Sequence, residues 1–417
     1  MTELQHPEGF REKQFDWIVF VQRGGNDLTS LSIRGVMLMV ATIGLYRFWF
    51  VSDLRRFFWS RTLVDDSPLE YTGRGLELFI GFLIAVAILL PLGLGLFGLS
   101  LISQTAAIIG NIAYFVILLF LGQYALFRAR RYRLNRTTWR GLRLHLTGSA
   151  WKYAFMSMGW SILTVLTLGL AWPWASASLE RFRVNHTWYG NLRFSSDAKW
   201  SDIIKPFMVI WVVLVLPFFA IIVLGMVASL QSELAGESAI IPGSLAAMIP
   251  LLIPFLVFVP FFGVLVYPWY KAVIMRTYFS KIKAGTASLT ASFSTGLFYK
   301  VWFKTILVTI AASIFLGILG GIVYFFLGSL FSTNLVQDQT FLTVSGVVAY
   351  VIWIAVSYVI TITIYHFGIW HYAGNSMVII NPGCIEEVQA GSKETVGGIN
   401  EGFADALDVG GGFEIGL

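Results

Sequence analysis

Lysine and arginine are missing from three long runs of this chain, residues 75–127, 206–270 and 305–392, although the protein carries 29 of them. The loops inside those runs lack cations as well: LISQTAA near residue 104, QSELAGESAIIPGS near 238 and LFSTNLVQDQTF near 335. In a polytopic membrane protein the retained loops hold the Lys and Arg excess and the translocated loops do not. The segregation therefore predicts class and sidedness together. The three cation-free loops face outward, while RTLVDDSPLEYTGRG, RARRYRLNRTTWRGLR and both termini stay in the cytoplasm. Composition agrees, because 57% hydrophobic residues, 12% charged residues and a mean hydropathy of +0.74 need a bilayer as solvent. The start, MTELQHPEGFREKQF, reads as polar and without a secretory core, so the first span would act as its own targeting signal.

A spanning helix needs about 20 apolar residues. Six segments satisfy that, near 77–100, 107–128, 204–230, 243–268, 303–329 and 342–367, and they fall into three pairs. Two others, 35–51 and 153–175, would put basic segments on opposite sides if each crossed once. They are expected to be re-entrant or short helices that return to the same face. Both hold an interruption, Thr42-Ile43-Gly44-Leu45-Tyr46 in one and Thr167-Leu168-Gly169-Leu170 before Trp172-Pro173-Trp174 in the other. Gly44, Gly169, Pro173 and, later, Pro268 are the candidate bends. Eight simple spans is the alternative.

Short alternating segments recur where apolar sequence ends: RTLVDDSPLEYTG, NRTTWRGLRLHLTG, NHTWYGNLRFSSD, IKAGTASLTASFS and MVIINPGCIEEVQAG, with FDWIVFVQRGGNDLTSLSIRG before the first. Period-two apolar residues around turn residues read as β-hairpins, and hairpins this short need partners. The expected fold is an all-α polytopic membrane protein with six clear spans, two re-entrant or short helices and a cytoplasmic layer of repeated hairpins. It divides into an N-terminal segment 1–34 with a candidate hairpin, a membrane domain 35–384 of about five helix-plus-hairpin repeats, and an acidic, Gly-rich tail 385–417.

The strings GLYRFWFVSDLRRFFWSRT, EYTGRGLELFIGF, FRARRYRLNRTTWRGLR and TLGLAWPWASASLERFRVNHTWYG carry a resemblance to the YjgN-like family of bacterial inner-membrane proteins. It is close over residues 30–200 and looser around Tyr267-Pro268-Trp269. The resemblance implies an integral inner-membrane protein of unestablished activity, and it transfers no catalytic residue. The tail from Gly391 departs from the family pattern.

Formal charge is +6, yet the segment from Ile385 onward holds seven acids and one Lys, so the rest is about +12 (28 basic minus 16 acidic). An anionic leaflet suits such a body better than nucleic acid, because the bases lie beside spans. The densest charges, Arg128, Arg130, Arg131, Arg133 and Arg140, join Arg55, Arg56, Arg181 and Arg183 as a candidate collar for anionic headgroups. Topology determination alone also accounts for such a collar. Tyr46, Trp49, Trp172, Trp174, Tyr267 and Trp269 read as an interfacial aromatic belt. No catalytic residue, metal site or cofactor is expected: the histidines lack HExxH spacing, His366 and His371 have no nearby acid, and Cys384 has no local His. The role reads as non-enzymatic, a lipid-interacting or small-solute transport-like module. A scaffold docking a partner, or a second copy, through the hairpins and acidic tail is the alternative. A channel would need a polar path through groups such as Gln104, Asn111, Gln123, Thr164 and Thr167.

Overall fold

The computed structural model of the chain describes residues 16–234, 243–330 and 339–389. Among these residues there are ten strands: β1 (Trp17–Val21), β2 (Thr62–Val64), β3 (Ser67–Tyr71), β4 (Thr137–Trp139), β5 (Leu142–Leu146), β6 (Thr187–Tyr189), β7 (Leu192–Ser196), β8 (Ile282–Ala284), β9 (Ala287–Ala291) and β10 (Met377–Ile380). Strands of three to five residues are unstable as open edges. Here every edge is removed, because the strands close into an antiparallel barrel in the order β1-β10-β9-β8-β7-β6-β5-β4-β3-β2.

That barrel overturns the all-α expectation. Four of the alternating segments form hairpins with two-residue loops. Asp65 and Asp66 (φ 48° and 56°), and Arg140 and Gly141 (φ 49° and 76°), take the double positive φ that matches strand twist, while Gly190 and Gly285 take a positive φ at the first loop position. The segments read as fifth and sixth hairpins are corrected to one strand each, β10 and β1. They pair with each other, Ile18 opposite Val378, and so join the two ends of the chain.

Among the described residues, five pairs of helices stand between the strands. The first pair is α1 (Gly25–Ala41) and α2 (Arg47–Ser60), the second α3 (Gly75–Ser100) and α4 (Gln104–Asn135), the third α5 (Ala150–Leu166) and α6 (Trp172–Asn185). The fourth is α7 (Ile204–Leu234) and α8 (Gly243–Phe279); the fifth is α9 (Thr295–Leu330) and α10 (Gln339–Ile360), which a π turn at Thr361–His366 joins to α11 (Phe367–Gly374). Strand, two helices, strand is the order of each unit, and the two strands of a unit pair in one register: Val21 with Thr62, Tyr71 with Thr137, Leu146 with Thr187, Ser196 with Ile282, Ala291 with Met377. The backbone N–H just after each first strand donates to the carbonyl just before each second strand: Gln22 to Arg61, Thr72 to Arg136, Thr147 to His186, Asp197 to Lys281, Ser292 to Ser376.

Among the described residues six helices are long and apolar enough to cross a membrane, which makes this a multi-pass membrane protein. The first and third pairs are different. With 14 residues, α2 and α6 rise about 21 Å, against about 48 Å for the 32 residues of α4. In both short pairs the chain reverses and returns to the barrel it left. The two reversals match bond for bond. Gly44 N–H donates to Met39 O and Gly169 N–H to Thr164 O, each at 2.7 Å. The hydroxyls of Thr42 and Thr167 donate to Leu38 O and Leu163 O (2.7 Å each) and accept from the N–H of Tyr46 and Ala171. Gly44 and Gly169 supply the left-handed φ of 87° and 93° that the reversal needs.

The lumen is filled. Trp17 and Trp139 meet edge to face with centroids 5.7 Å apart, Trp139 lies 5.3 Å from Tyr189, and Val64, Leu69, Leu144, Phe194 and Ile379 pack around them. At the end away from the helices, Ile385 and Val388 close the barrel from a short helical turn, Gly383–Glu386. At the helix end, Trp59 stacks on Trp370 at 5.5 Å, and their indole N–H groups donate to Thr137 and Thr62. Phe50, Leu54 and Phe58 put α2 at the centre of the main core. Burying side chains of this size contributes roughly 1.5–3 kcal/mol each.

Candidate functional site

All the collar arginines but Arg140, which lies in the β4–β5 loop, belong to the helices that enter the barrel, and most of them turn inward. Arg55 is buried and donates to the Tyr71 hydroxyl at 3.1 Å. Arg56 pairs with Asp53 and donates to Gly73 O at 2.9 Å; Arg131 donates in the same way to Gly148 O, and Arg276, outside the expected collar, to Phe293 O. His371 meets Val21 O at 2.9 Å. The three arginines reach from the second helix of one unit to the turn after the first strand of the next, and His371 reaches from α11 to the last residue of β1, so all four fasten neighbouring units. A charged donor on a partly buried carbonyl, as with Arg56 on Gly73 O and Arg276 on Phe293 O, is among the stronger hydrogen bonds.

The remaining collar members divide. Arg183 pairs with Glu180, and Arg130 lies within electrostatic reach of Glu180, Arg183 and Arg133. Arg128 packs over the Tyr124 ring at 5.8 Å and Arg131 over Phe127 at 5.4 Å. Arg140 is held by Asp65 and lies against Trp17 and Trp139 at 5.1 and 4.6 Å, at the far end of the barrel. Arg181 is exposed. Beside them, Glu77 accepts from both Arg136 (2.9 Å) and the Tyr132 hydroxyl (2.8 Å), tying α3 to α4 in a setting where either charge alone would be costly.

A second set of cations was not anticipated as a group. Arg34 on α1, Arg74 before α3, Lys152 on α5, Lys205 on α7, and Lys300 and Lys304 on α9 are all exposed. They lie at or near the start of the first helix of each unit, where the chain leaves the barrel. The signal was available: each lies at or within the first ten residues of a first helix, whereas the conspicuous arginine run lies at the end of a second helix.

Tyr46 stacks on Trp49, Trp174 on Trp200 at 4.7 Å, and Trp172 on Phe207 at 5.4 Å. The Tyr267 hydroxyl accepts from that of Tyr365, while Trp269 is half-buried. Of the candidate bends, Gly44 and Gly169 make full reversals, Pro173 opens α6 in its first turn, and Pro268 lies inside the uninterrupted α8. Of the polar groups offered as a path, Gln123 accepts from Ser157 and Thr167 stays with its turn. Cys384 donates to Ala284 O, and among the described residues no three His, Cys, Asp or Glu side chains gather to hold a metal. The Tyr189 phenol is pushed up by burial, against the opposing charge of Arg140, and it donates to Trp139 O.

Residues 23–406 match the model of a family described as a bacterial protein of unknown function, DUF898. The chain belongs to this family, the YjgN-like family. Neither a curated protein nor a solved structure gives a match. This YjgN-like chain combines a filled barrel, an inner set of arginines fastening its units, and an outer set of exposed cations where the first helices begin.

Proposed function

We propose that this YjgN-like protein is a non-enzymatic, lipid-interacting module of the bacterial inner membrane, with its barrel and both chain ends in the cytoplasm. The observation that carries this reading is the exposed cation set at the barrel-side ends of the first helices: Arg34, Arg74, Lys152, Lys205, Lys300 and Lys304. Cations bordering apolar spans are held on the cytoplasmic side and attract anionic headgroups, each contributing about 1 kcal/mol near the surface. Arg181 belongs with them. The five strand–helix–helix–strand units, read as copies of one ancestral repeat, would present that surface all round the barrel. Solute passage along the axis gains no support from a lumen filled by Trp17, Trp139, Tyr189 and Phe194.

The test is the lipid shell of the purified protein in nanodiscs made from equal phosphatidylglycerol and phosphatidylcholine. Enrichment of phosphatidylglycerol is expected, lost when the six cations are changed to Gln and weakened by salt. A six-site variant that retains the full enrichment would overturn the reading.

A scaffold role has one specific observation in its favour. Ile18 and Phe20 point outward from β1 and are more than half exposed, beside Leu63 and Val378 on the paired strands. A stoichiometric protein retained on this face by the wild type and released by Ile18→Ser with Phe20→Ser would move the assignment there. The acidic tail from residue 390 lies outside the described residues.

A further inference from the structure

Around the barrel β6 lies opposite β1, and there the outer wall carries cations and rings in place of Ile18 and Phe20. Alternation along β5, β6 and β7 sends Leu144, Tyr189 and Phe194 into the lumen, so Arg143, His145, Trp188 and Arg193 point outward. His145, Trp188 and Arg193 form one cross-strand row. The His145 ring stacks on that of Trp188, with centroids 6.2 Å apart and 8° between the planes, and the Arg193 guanidinium lies over the same indole at 5.8 Å. Arg143 and Arg193 are exposed. The acids that border this wall are engaged elsewhere: Glu70 accepts from Thr138, and Asp197 from Lys283.

The chain leaves the described residues at this same wall. The Gln389 carbonyl accepts from the Asn191 N–H, and the Gln389 N–H donates to the Asn191 side chain, both at 3.2 Å. Asn191 lies in the loop between β6 and β7, next to the first residue of β7. Residues 390–417 continue from there and hold Glu394, Glu401, Asp405, Asp408 and Glu414 against a single cation, Lys393. Extended, the chain from Gln389 to Glu401 covers at most about 40 Å. The opposite wall is about 24 Å round the barrel at the usual strand spacing, so length alone allows either. Charge favours the wall beside the exit. We infer that residues 390–417 turn back onto the outside of β5–β7 and set their carboxylates against Arg143 and Arg193, across the His145–Trp188 stack. Each exposed pair is weak, but a short tether gives an effective concentration on the order of millimolar, so several act together. The contact goes beyond the lipid reading and does not depend on it. An acidic partner approaching this wall would have to displace the chain's own segment.

Carbodiimide cross-linking of the full chain tests it, in phosphatidylcholine nanodiscs that hold no anionic lipid. Arg193→Lys keeps the charge and gives the wall an amine that the reagent joins to a neighbouring carboxylate. Arg143→Lys is an independent second probe, and Leu63→Lys, outward beside Phe20 on the opposite wall, is the reference. Mass spectrometry reads the yield of links within one chain to Glu394, Glu401, Asp405, Asp408 or Glu414. Positions 143 and 193 should give about tenfold more than position 63. Because position 193 is also nearer the exit, charge dependence is the deciding readout: the yield from Arg193→Lys should fall toward the reference at high salt and on adding Arg143→Glu. Equal yields at all three positions, or no links at 143 and 193, overturn the docking. A yield indifferent to both salt and Arg143→Glu reduces the links to nearness of the exit and overturns it as well. Links found only between isotopically light and heavy copies would give the wall to the tail of a second copy and overturn the contact within one chain.

Discussion

Asp197 follows β7, is exposed, and accepts from Lys283 on β8 at 2.6 Å, across the strand pair that ends the fourth unit. The hydrogen bond and the nearby positive charges hold its carboxyl below the usual carboxylate range. A depressed folded-state value contributes stability that is present above the unfolded value, about 3.9, and is lost as pH falls through the folded value. Asp197→Asn should therefore lower the melting temperature at pH 7, and the gap from wild type should close on titration to pH 3 and below. A gap that stays constant over that range would disprove the pairing. Individual residues were legible from sequence to different degrees. The arginine run announced a charged collar, but whether a guanidinium turns outward to a headgroup or inward to Gly73 or Gly148 depends on a neighbour in the next unit, which spacing along the chain does not show.

At the scale of elements, the paired reversals in the first and third helix pairs are the sharpest feature. Ile43 and Leu168 adopt left-handed φ of 52° and 53°, which costs an L residue roughly 1–2 kcal/mol. The hydroxyls of Thr42 and Thr167 offset part of that by satisfying backbone groups on both sides of the turn. Thr42→Val and Thr167→Val should each destabilise the protein by about 1 kcal/mol, read as a fall in melting temperature in nanodiscs. Thr29→Val, which removes a hydroxyl bonded to Gly25 O alone, serves as the control and should cost less. These elements were readable because Gly, Thr and apolar periodicity act locally. Hairpin loops were readable for the same reason, as at Asp65-Asp66 and Arg140-Gly141. The segments around Trp17 and Met377 misled because each carries one strand's alternation beside turn residues, and the partner that completes it lies at the opposite end of the chain.

For the whole molecule, closure is the property that no local pattern encodes. β10 pairs with both β1 and β9, and Asn375 accepts from Val21 N–H at 2.7 Å, so the last unit locks the first. Truncation after Ser376 should leave two open edges and uncover Trp17. The expected outcome is loss of the monodisperse peak in size exclusion together with new protease cleavage in Trp17–Val21; a truncated chain that stays monodisperse and resistant would show that the barrel stands without its seam. The uneven helix pairs carry a consequence for the membrane itself. All five pairs stand on the barrel, but among the described residues only three are long and apolar enough to cross, so a molecule whose short pairs enter the leaflet beside the barrel would displace more lipid area from that leaflet than from the other. Such a wedge relaxes the surrounding bilayer when the barrel-side leaflet forms the convex surface, and the molecule would collect wherever the membrane already bends that way.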